Sequence, residues 1–446
     1  MPSVSTCNRA ILHGVSELTI NLCRLTITDE GTYILSGVLN NGMIVVDAED
    51  TDKIRLILNG VKITNKTSAA VYVVEADKVF ITTASGTENT FENTGEYIAI
   101  DENNIDAVIF SKSDLTLNGS GTLSITAQAG HGIVSKDDLV ITGGTYDITS
   151  ASHGLSGKDS IRISNGDFTI TSNKDGLHAE NNDDPEKGFI YIAGGDFTIK
   201  SNGDSISAAA YLQIENGNFT ITTGEGSAGA AMVSDNMGFG ARDNLQTTAS
   251  TETVDSESIK GIKSDGTLTI TDGSFVMDTQ DDSFHACNDI TVSGGTFDIK
   301  SGDDAIHSDT NVNIQNGDFT ISYCYEGIEG NSITIDNGSF NITAVDDGIN
   351  AAGDDKSDIF ITINGGTFVI VSSGDCIDSN NSLTLNGGSL NLTCNGNGNT
   401  ALDCDGSYSN NGADVTTNDG SENNPGQMGG QGGFGGKGGM GFRGMN

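Results

Sequence analysis

A short segment, Gly-x-Phe-x-Ile, returns along two thirds of the chain, and its return most narrows what this sequence can fold into. It reads GGTYDI at Gly143–Ile148, NGDFTI at Asn165–Ile170 and GGDFTI at Gly194–Ile199. Related spellings close on Ile221, Met277, Ile299, Ile321, Ile342, Ile370 and Leu392. The aromatic column is Tyr146, Phe168, Phe197, Phe219, Phe275, Phe297, Phe319, Phe340 and Phe368, with Leu390 last. Five of its nine steps are 22 residues, and the longer ones hold visible insertions. A fixed period of this length is the signature of a repeat architecture.

A second apolar column runs in phase with the first: Ile133, Leu155, Leu177, Ile206, Ile262, Phe284, Ile306, Ile328, Ile349 and Ile377. A third strand-like segment precedes each Gly pair, as in LVIT at Leu139, IRIS at Ile161, LTIT at Leu268 and ITID at Ile333. Each repeat thus carries three short strands with period-2 alternation, separated by Gly, Asn and Asp turns. Propeller blades need about 40–45 residues and four strands, and leucine-rich repeats need a helical segment. Three strands in 22 residues instead make one coil of a right-handed parallel β-helix, an all-β solenoid stacked at the strand spacing of about 4.8 Å. Residues 32–125 read as irregular coils of the same stack. The expected organisation is an N-terminal segment 1–24, one β-helix over 25–404 with an inserted loop at 224–258, and a flexible Gly-rich tail 405–446.

Composition agrees. With 60 Gly and only 3 Pro, the chain turns often while keeping its backbone N–H donors, unlike low-complexity disorder, which raises both residues. Against 21 Lys+Arg stand 61 Asp+Glu, a net charge of −40. That balance excludes nucleic acid and anionic membrane surfaces as partners, since both are bound through Lys and Arg, and leaves a cation-dependent protein open. No stretch approaches the about 20 apolar residues of a membrane span. The first 24 residues lack the basic start and long apolar run of a signal peptide, so the protein is cytosolic or the sequence begins after its leader. The seven Cys form no C-x-x-C pair and read as small core residues, with Cys394 and Cys404 the pair to test for oxidation.

Acidic residues flank the second column. Before it stand Asp175, Asp204, Asp281 with Asp282, Asp303 with Asp304, Glu326, Asp346 with Asp347, and Asp375; after it come His178, His285, His307, Glu329, Asn350 and Asp378. Equivalent positions of successive coils lie above one another, so these side chains stack into a ridge. Like charges about 5 Å apart repel, and Ca²⁺, which takes 6–8 oxygen ligands in flexible geometry, is the natural counter-ion. The candidate metal ligands are therefore Asp281, Asp282, Asp303, Asp304, Glu326, Glu329, Asp346, Asp347, Asp375 and Asp378. The competing reading is turn chemistry, in which Asp bonds nearby backbone. It serves for single acids such as Asp175 and Asp204 and less well for the doubled ones. His285 and His307 read as a ladder of stacked imidazoles that could also face a sugar or a transition metal.

Enzyme readings find less support. A glycoside hydrolase needs two carboxylates set apart across a cleft, and nothing singles out a pair here. A Ca²⁺-assisted lyase needs a base beside the metal. Lys260 and Lys263, in KGIKSDG, are the basic residues in the right column, and the alternative for them is a salt bridge to the acid ladder. Neutral glucan would need aromatic platforms; without Trp, Tyr323 and Tyr325 are the candidates.

The motifs IRLILNGVKIT (Ile54–Thr64), AVIFSKSDLTLNGSGTLSI (Ala107–Ile125), KGIKSDGTLTI, DDAIHSD, YEGIEGNSITI and DDGINAAG occur in order. Together they resemble a bacterial family of secreted, pectate-lyase-like β-helix carbohydrate-binding domains, with the match covering about residues 25–404. The resemblance implies a non-catalytic protein associated with calcium and with plant cell-wall polygalacturonate or cellulose, at a secreted or cell-surface location. It makes the acid ladder the calcium-associated edge. Two alternatives stay open: a calcium-dependent polysaccharide lyase, and a surface adhesin rod whose ions only stiffen the stack.

Overall fold

The structure is a computed structural model that describes residues 19–21, 23–230, 258–353, 355 and 357–425. It is a parallel β-helix. Each regular coil runs along three faces: Leu155–Gly157 on a first face, Ser160–Ile163 on a second and Asp167–Ser172 on a third. The next coil repeats them in parallel register, with Leu155 opposite Leu177, Ser160 opposite Phe189 and Phe168 opposite Phe197. The early coils are looser. Lys53–Asn65 runs along two faces in one strand, pairing with both Lys78–Thr83 and Glu88–Asn93. Thr19–Asn21 turns back antiparallel on Arg24–Ile27, the one antiparallel pairing among the described strands.

Alternation dictates the cross-section. On the third face Phe168, Ile170 and Ser172 are buried while Asp167, Thr169 and Thr171 are exposed, as period-2 side-chain geometry requires. The inward Phe rings from Phe168 to Phe368 stack 4.3–5.0 Å apart and within 4° of parallel. Both apolar columns read from the sequence therefore line one continuous core.

Ile206 pairs with Ile262 and Phe219 with Phe275, so the long interruption joins coils that are neighbours in the stack. Of the predicted 224–258 loop, residues 231–257 lie outside the described residues. Its start folds onto the corner, where the Ser227 N–H donates to Asp278 Oδ1 at 2.7 Å and the Glu225 N–H to Gln280 Oε1 at 3.0 Å.

The boundary expected at 404 moves. Tyr408–Asn410 and Asp414–Thr417 pair in parallel with Ser382–Leu385 and Ser389–Cys394, completing another coil. Its inward residues Tyr408 and Val415 are only half-buried, since among the described residues no further coil stacks beyond them. Side chains then close the open backbone. Ser421 Oγ accepts the Leu402 N–H at 3.0 Å, Asp419 Oδ2 the Ala401 N–H at 2.8 Å and Asn418 Oδ1 the Cys394 N–H at 3.1 Å. The rest of the predicted tail, from residue 426, lies outside the described residues. Cys394 and Cys404 remain thiols, on different faces, each bonded to its own backbone carbonyl (Gly374 and Asn381).

At the N-terminal end the first face carries outward apolar groups, Val45, Tyr72, Phe110 and Val134, packed under Tyr97 and Ile105. Tyr72 Oη donates to Asp101 Oδ2 at 2.7 Å, pinning that cover. The first face is therefore polar on its outside only beyond these coils. Among the described residues no helix is long and apolar enough to cross a membrane.

Candidate functional site

From the strand His131–Ser135 to Ile377–Ser379, each first-face segment carries a polar or charged residue two positions before its inward side chain. Down the stack these are His131, His153, Asp175, Asp204, Lys260, Asp282, Asp304, Glu326, Asp347 and Asp375. Most accept the N–H of the equivalent residue one coil on. His131 Nδ1 accepts from His153 at 3.3 Å and His153 Nδ1 from Asp175 at 3.1 Å. Asp175 Oδ1 accepts from Asp204 at 2.9 Å and Asp204 Oδ1 from Lys260 at 2.7 Å. Asp282, Asp304 and Asp347 do the same at 3.0, 3.1 and 2.6 Å, and Asp375 caps Thr400. These turns cannot close a sheet ladder, so a side-chain acceptor spares each coil a buried unpaired donor. Turn chemistry thus accounts for one oxygen of each such Asp. The other oxygen is where the column divides.

In its first half the protein neutralises its own acids. Lys260 Nζ lies 2.5 Å from Asp282 Oδ2 and 3.1 Å from Asp281 Oδ1. His285 Nδ1 stands 3.0 Å from Asp282 Oδ2, and His307 Nδ1 3.2 Å from Asp304 Oδ2 and 3.5 Å from Glu329 Oε2. Burial disfavours the Asp282 anion, but Lys260 and the two imidazoles outweigh it and hold the carboxyl well below its ordinary range. Burial likewise opposes charge on His307, yet Asp304, Asp282 and Glu329 push its pKa up to about 10. Further up, His131, His153 and His178 stack at 5.0 and 4.2 Å. Burial and mutual repulsion drop His131 to about 4 and His153 to about 2, so both are neutral.

Past His307 the outward column reads Glu329, Asn350, Asp378 and Asp403, in register. No Lys, Arg or His stands in either column beyond this point. Burial, then the neighbouring acids, raises Glu326 well above its ordinary value. The same causes put Glu329 and Asp347 at about 8, Asp378 at about 7 and Asp375 at about 6. Two local features suit an oxygen-seeking cation. Asn350 is 9% exposed and donates Nδ2 to Glu326 Oε2 at 3.0 Å, while its Oδ1 is buried without a hydrogen-bond partner. The space over Gly374 is filled by Asp346 Oδ1 and Asp347 Oδ1, with which any Cβ would collide, so both oxygens converge over one bare Cα. Half-buried carboxylates and an orphan amide oxygen form the hard donor set that Ca²⁺ takes.

The ten predicted ligands thus fall into two groups. Asp281, Asp282, Asp303 and Asp304 lie where Lys260 and His307 supply positive charge and His285 an imidazole nitrogen. Among the described residues no Lys, Arg or His pairs with Glu326, Asp346, Asp347, Asp375 or Asp378, and Glu329 stands at the junction. Lys260 and Lys263 do not suit the role of a base. Burial disfavours both ammonium groups, but the facing carboxylates, Asp282 and Asp281 for Lys260 and Asp204 and Asp265 for Lys263, raise both pKa values. Tyr323 is 38% exposed on the third face, opposite Lys300. Tyr325 sits half-buried at the corner, between Asp303 and Asp346 in the stack. Sequence reasoning passed over a second aromatic surface: Phe189 and Tyr211 stack 4.8 Å apart at the second-face edge, with Tyr211 37% exposed. Their 22-residue spacing was the available signal.

Comparison with known proteins meets this geometry. The profile of the family described as "Carbohydrate-binding domain-containing protein" matches residues 23–305 and 303–424. The chain belongs to this family. A carbohydrate-binding domain-containing protein of Acetivibrio thermocellus is 41% identical over 212 residues, covering 47% of this chain and 74% of that protein. A solved structure, the polysaccharide lyase-like protein from C. thermocellum in a gadolinium derivative, is 34% identical. It covers 48% of this chain and 86% of its own, with a TM-score of 0.46. Membership in the carbohydrate-binding family gives the protein a carbohydrate-binding role.

Proposed function

We propose that the protein is a non-catalytic, calcium-dependent binder of acidic plant cell-wall polysaccharide, with polygalacturonate as the preferred polymer and a secreted or cell-surface location. The observation that carries this reading is the half-buried acid cluster around the orphan Asn350 Oδ1, which no cation among the described residues compensates. A net charge of −40 repels a polyuronate, and that repulsion has to be removed before contact is possible. Glu326, Asp346, Asp347, Asn350 and Asp378 would hold the ion, which supplies positive charge that carboxylates of protein and polymer can share. The protonated state of Lys260 and Lys263 argues against proton abstraction from a uronate.

The test is retention on insoluble polygalacturonate with calcium and with EDTA, for the native protein and for Asp347→Asn plus Asp378→Asn. Native protein should bind only with calcium and the double variant should lose at least tenfold in retention. Equal retention in EDTA sinks the ion bridge. Unsaturated, ultraviolet-absorbing product from any uronate polymer would replace it with a lyase. Retention on cellulose alone, lost on Tyr211→Ala, would instead point to the Phe189–Tyr211 stack.

A further inference from the structure

Residues i and i+2 of a strand point to the same side, and two adjacent first-face segments use this in an unusual way. One carries His285 and Cys287; the next carries His307 and Asp309, with His285 directly opposite His307. Four donor side chains therefore mark the corners of one small patch on the outside of the stack. His285 Nε2 lies 4.0 Å from Cys287 Sγ, and His307 Nε2 lies 3.6 Å from Asp309 Oδ1. Donor atoms of His285, Cys287 and Asp309 all fall within 4.8 Å of one another.

The imidazoles are oriented for ligation. Each turns its Nδ1 toward a buried carboxylate, His285 to Asp282 at 3.0 Å and His307 to Asp304 at 3.2 Å. Asp282 and Asp304 are only 2% and 4% exposed. A ring that gives its Nδ1–H to a carboxylate leaves Nε2 as the outward donor, the arrangement found behind metal-bound histidines. His131 and His153 offer the contrast. Their Nδ1 atoms accept backbone N–H groups, so in the neutral rings the proton sits on Nε2 and neither nitrogen is left to take a metal. Stacked imidazoles of one chain thus differ in what they can do.

The geometry points to a transition-metal site, of the zinc class, built from His285 Nε2, Cys287 Sγ, His307 Nε2 and Asp309 on two adjacent coils. Two nitrogens, one sulfur and one oxygen suit a borderline-soft ion in tetrahedral geometry and suit Ca²⁺ poorly. Bonds of about 2.0–2.3 Å hold tetrahedral donors about 3.5 Å apart. The spacings within each segment, 4.0 Å for His285–Cys287 and 3.6 Å for His307–Asp309, lie near that value, and the two segments' side chains have to draw together for all four donors to share one ion. Burial and the Asp309 and Asp265 carboxylates keep the Cys287 proton on sulfur in the free protein, and His307 holds both ring protons there. Ion uptake passes the thiol proton and the His307 Nε2 proton to solvent as Sγ and Nε2 become ligands, while Asp304 keeps the Nδ1–H. Lys263 and Asp265 occupy the same two positions one coil earlier and pair directly at 3.2 Å. There an ammonium–carboxylate pair fills the place that the ion would take. This site stands apart from the calcium reading and does not rest on it.

Co²⁺ is the probe, added to metal-free, full-length protein. One equivalent should bind and give a thiolate-to-metal absorption band with tetrahedral visible bands, and Zn²⁺ should displace it while a hundredfold excess of Ca²⁺ should not. Cys287→Ser should abolish the thiolate band, and His285→Gln and Asp309→Asn should each weaken uptake at least tenfold. Asp298→Asn, on the exposed side of the third face, should leave Co²⁺ uptake unchanged. Circular dichroism of each metal-free variant verifies the fold, and His285→Gln carries the test should Cys287→Ser fail to fold. A thiolate band that survives Cys287→Ser, or that disappears with Cys7→Ser or Cys404→Ser instead, overturns the site, as does displacement by calcium.

Discussion

A single aspartate in this chain answers two demands at once. Asp204 is 3% exposed, accepts the Lys260 N–H through Oδ1, and has its pKa raised to about 6 by burial and by Asp175. Removing the acceptor and removing the charge are separable. Asp204→Ala should lower stability by about 1–3 kcal/mol, the cost of a buried donor left unpaired. Asp204→Asn keeps an oxygen and relieves a buried charge, so it should cost less than Asp204→Ala, as read from guanidinium midpoints. The acid column was legible as a column, because its members recur with the coil period. Which acids are spoken for was not. Asp282 and Asp347 stand in similar Asp-Asp turns, yet Lys260 reaches one and, among the described residues, no cation reaches the other. That difference is settled by which residue arrives one coil away, and an insertion separates Lys260 from its own preceding coil.

At the scale of the element, the recurring Gly-x-Phe is a corner and a ring made together. Gly295 takes φ of +114°, and a Cβ there would sit 3.0 Å from the Gly273 carbonyl oxygen and 3.2 Å from the Phe297 ring. Gly295→Ala should destabilise by more than about 1 kcal/mol, since positive φ and a backbone contact both resist it. Phe319→Ala removes a ring stacked on both sides, at 4.3 and 4.8 Å, and should cost about 3–5 kcal/mol by cavity formation. Thermal unfolding of the two variants checks the order. Strand positions and register were readable because inward columns cannot drift without exposing every apolar side chain. The final coil was not, since Tyr408 and Val415 pack on one side only and the cap is made by Asn418, Asp419 and Ser421, which read as tail. Asn418→Ala with Ser421→Ala should lower the melting temperature, and a chain ended at Asp405 should lose more.

For the molecule as a whole, the buried acids couple stability to pH. Glu329, Asp347, Asp375 and Asp378 have folded pKa values of about 8, 8, 6 and 7, above unfolded values of about 4. The folded state binds these protons more tightly, so the contribution is complete below about pH 4 and is lost as pH rises toward 8. His307, raised to about 10, adds a contribution present below about pH 6.5 and lost toward 10. In EDTA the melting temperature should therefore fall between pH 5 and 8, and calcium should restore most of it at pH 8 on the proposed reading. A flat profile in EDTA would mean that the acids are better solvated than their burial implies.

The division of the turn column has an electrical consequence along the long axis. On acidification from pH 8 to 5 the far acids take up protons, while His131 and His153, with values of about 4 and 2, stay uncharged. Most of this charge is shed at that end, where Glu329, Asp347, Asp375 and Asp378 titrate, against Asp137 and Asp204, at about 6, toward the other. The charge gradient along the axis thus steepens as pH rises through the range of the far acids, and alignment of the rod in an electric field should be stronger at pH 8 than at pH 5.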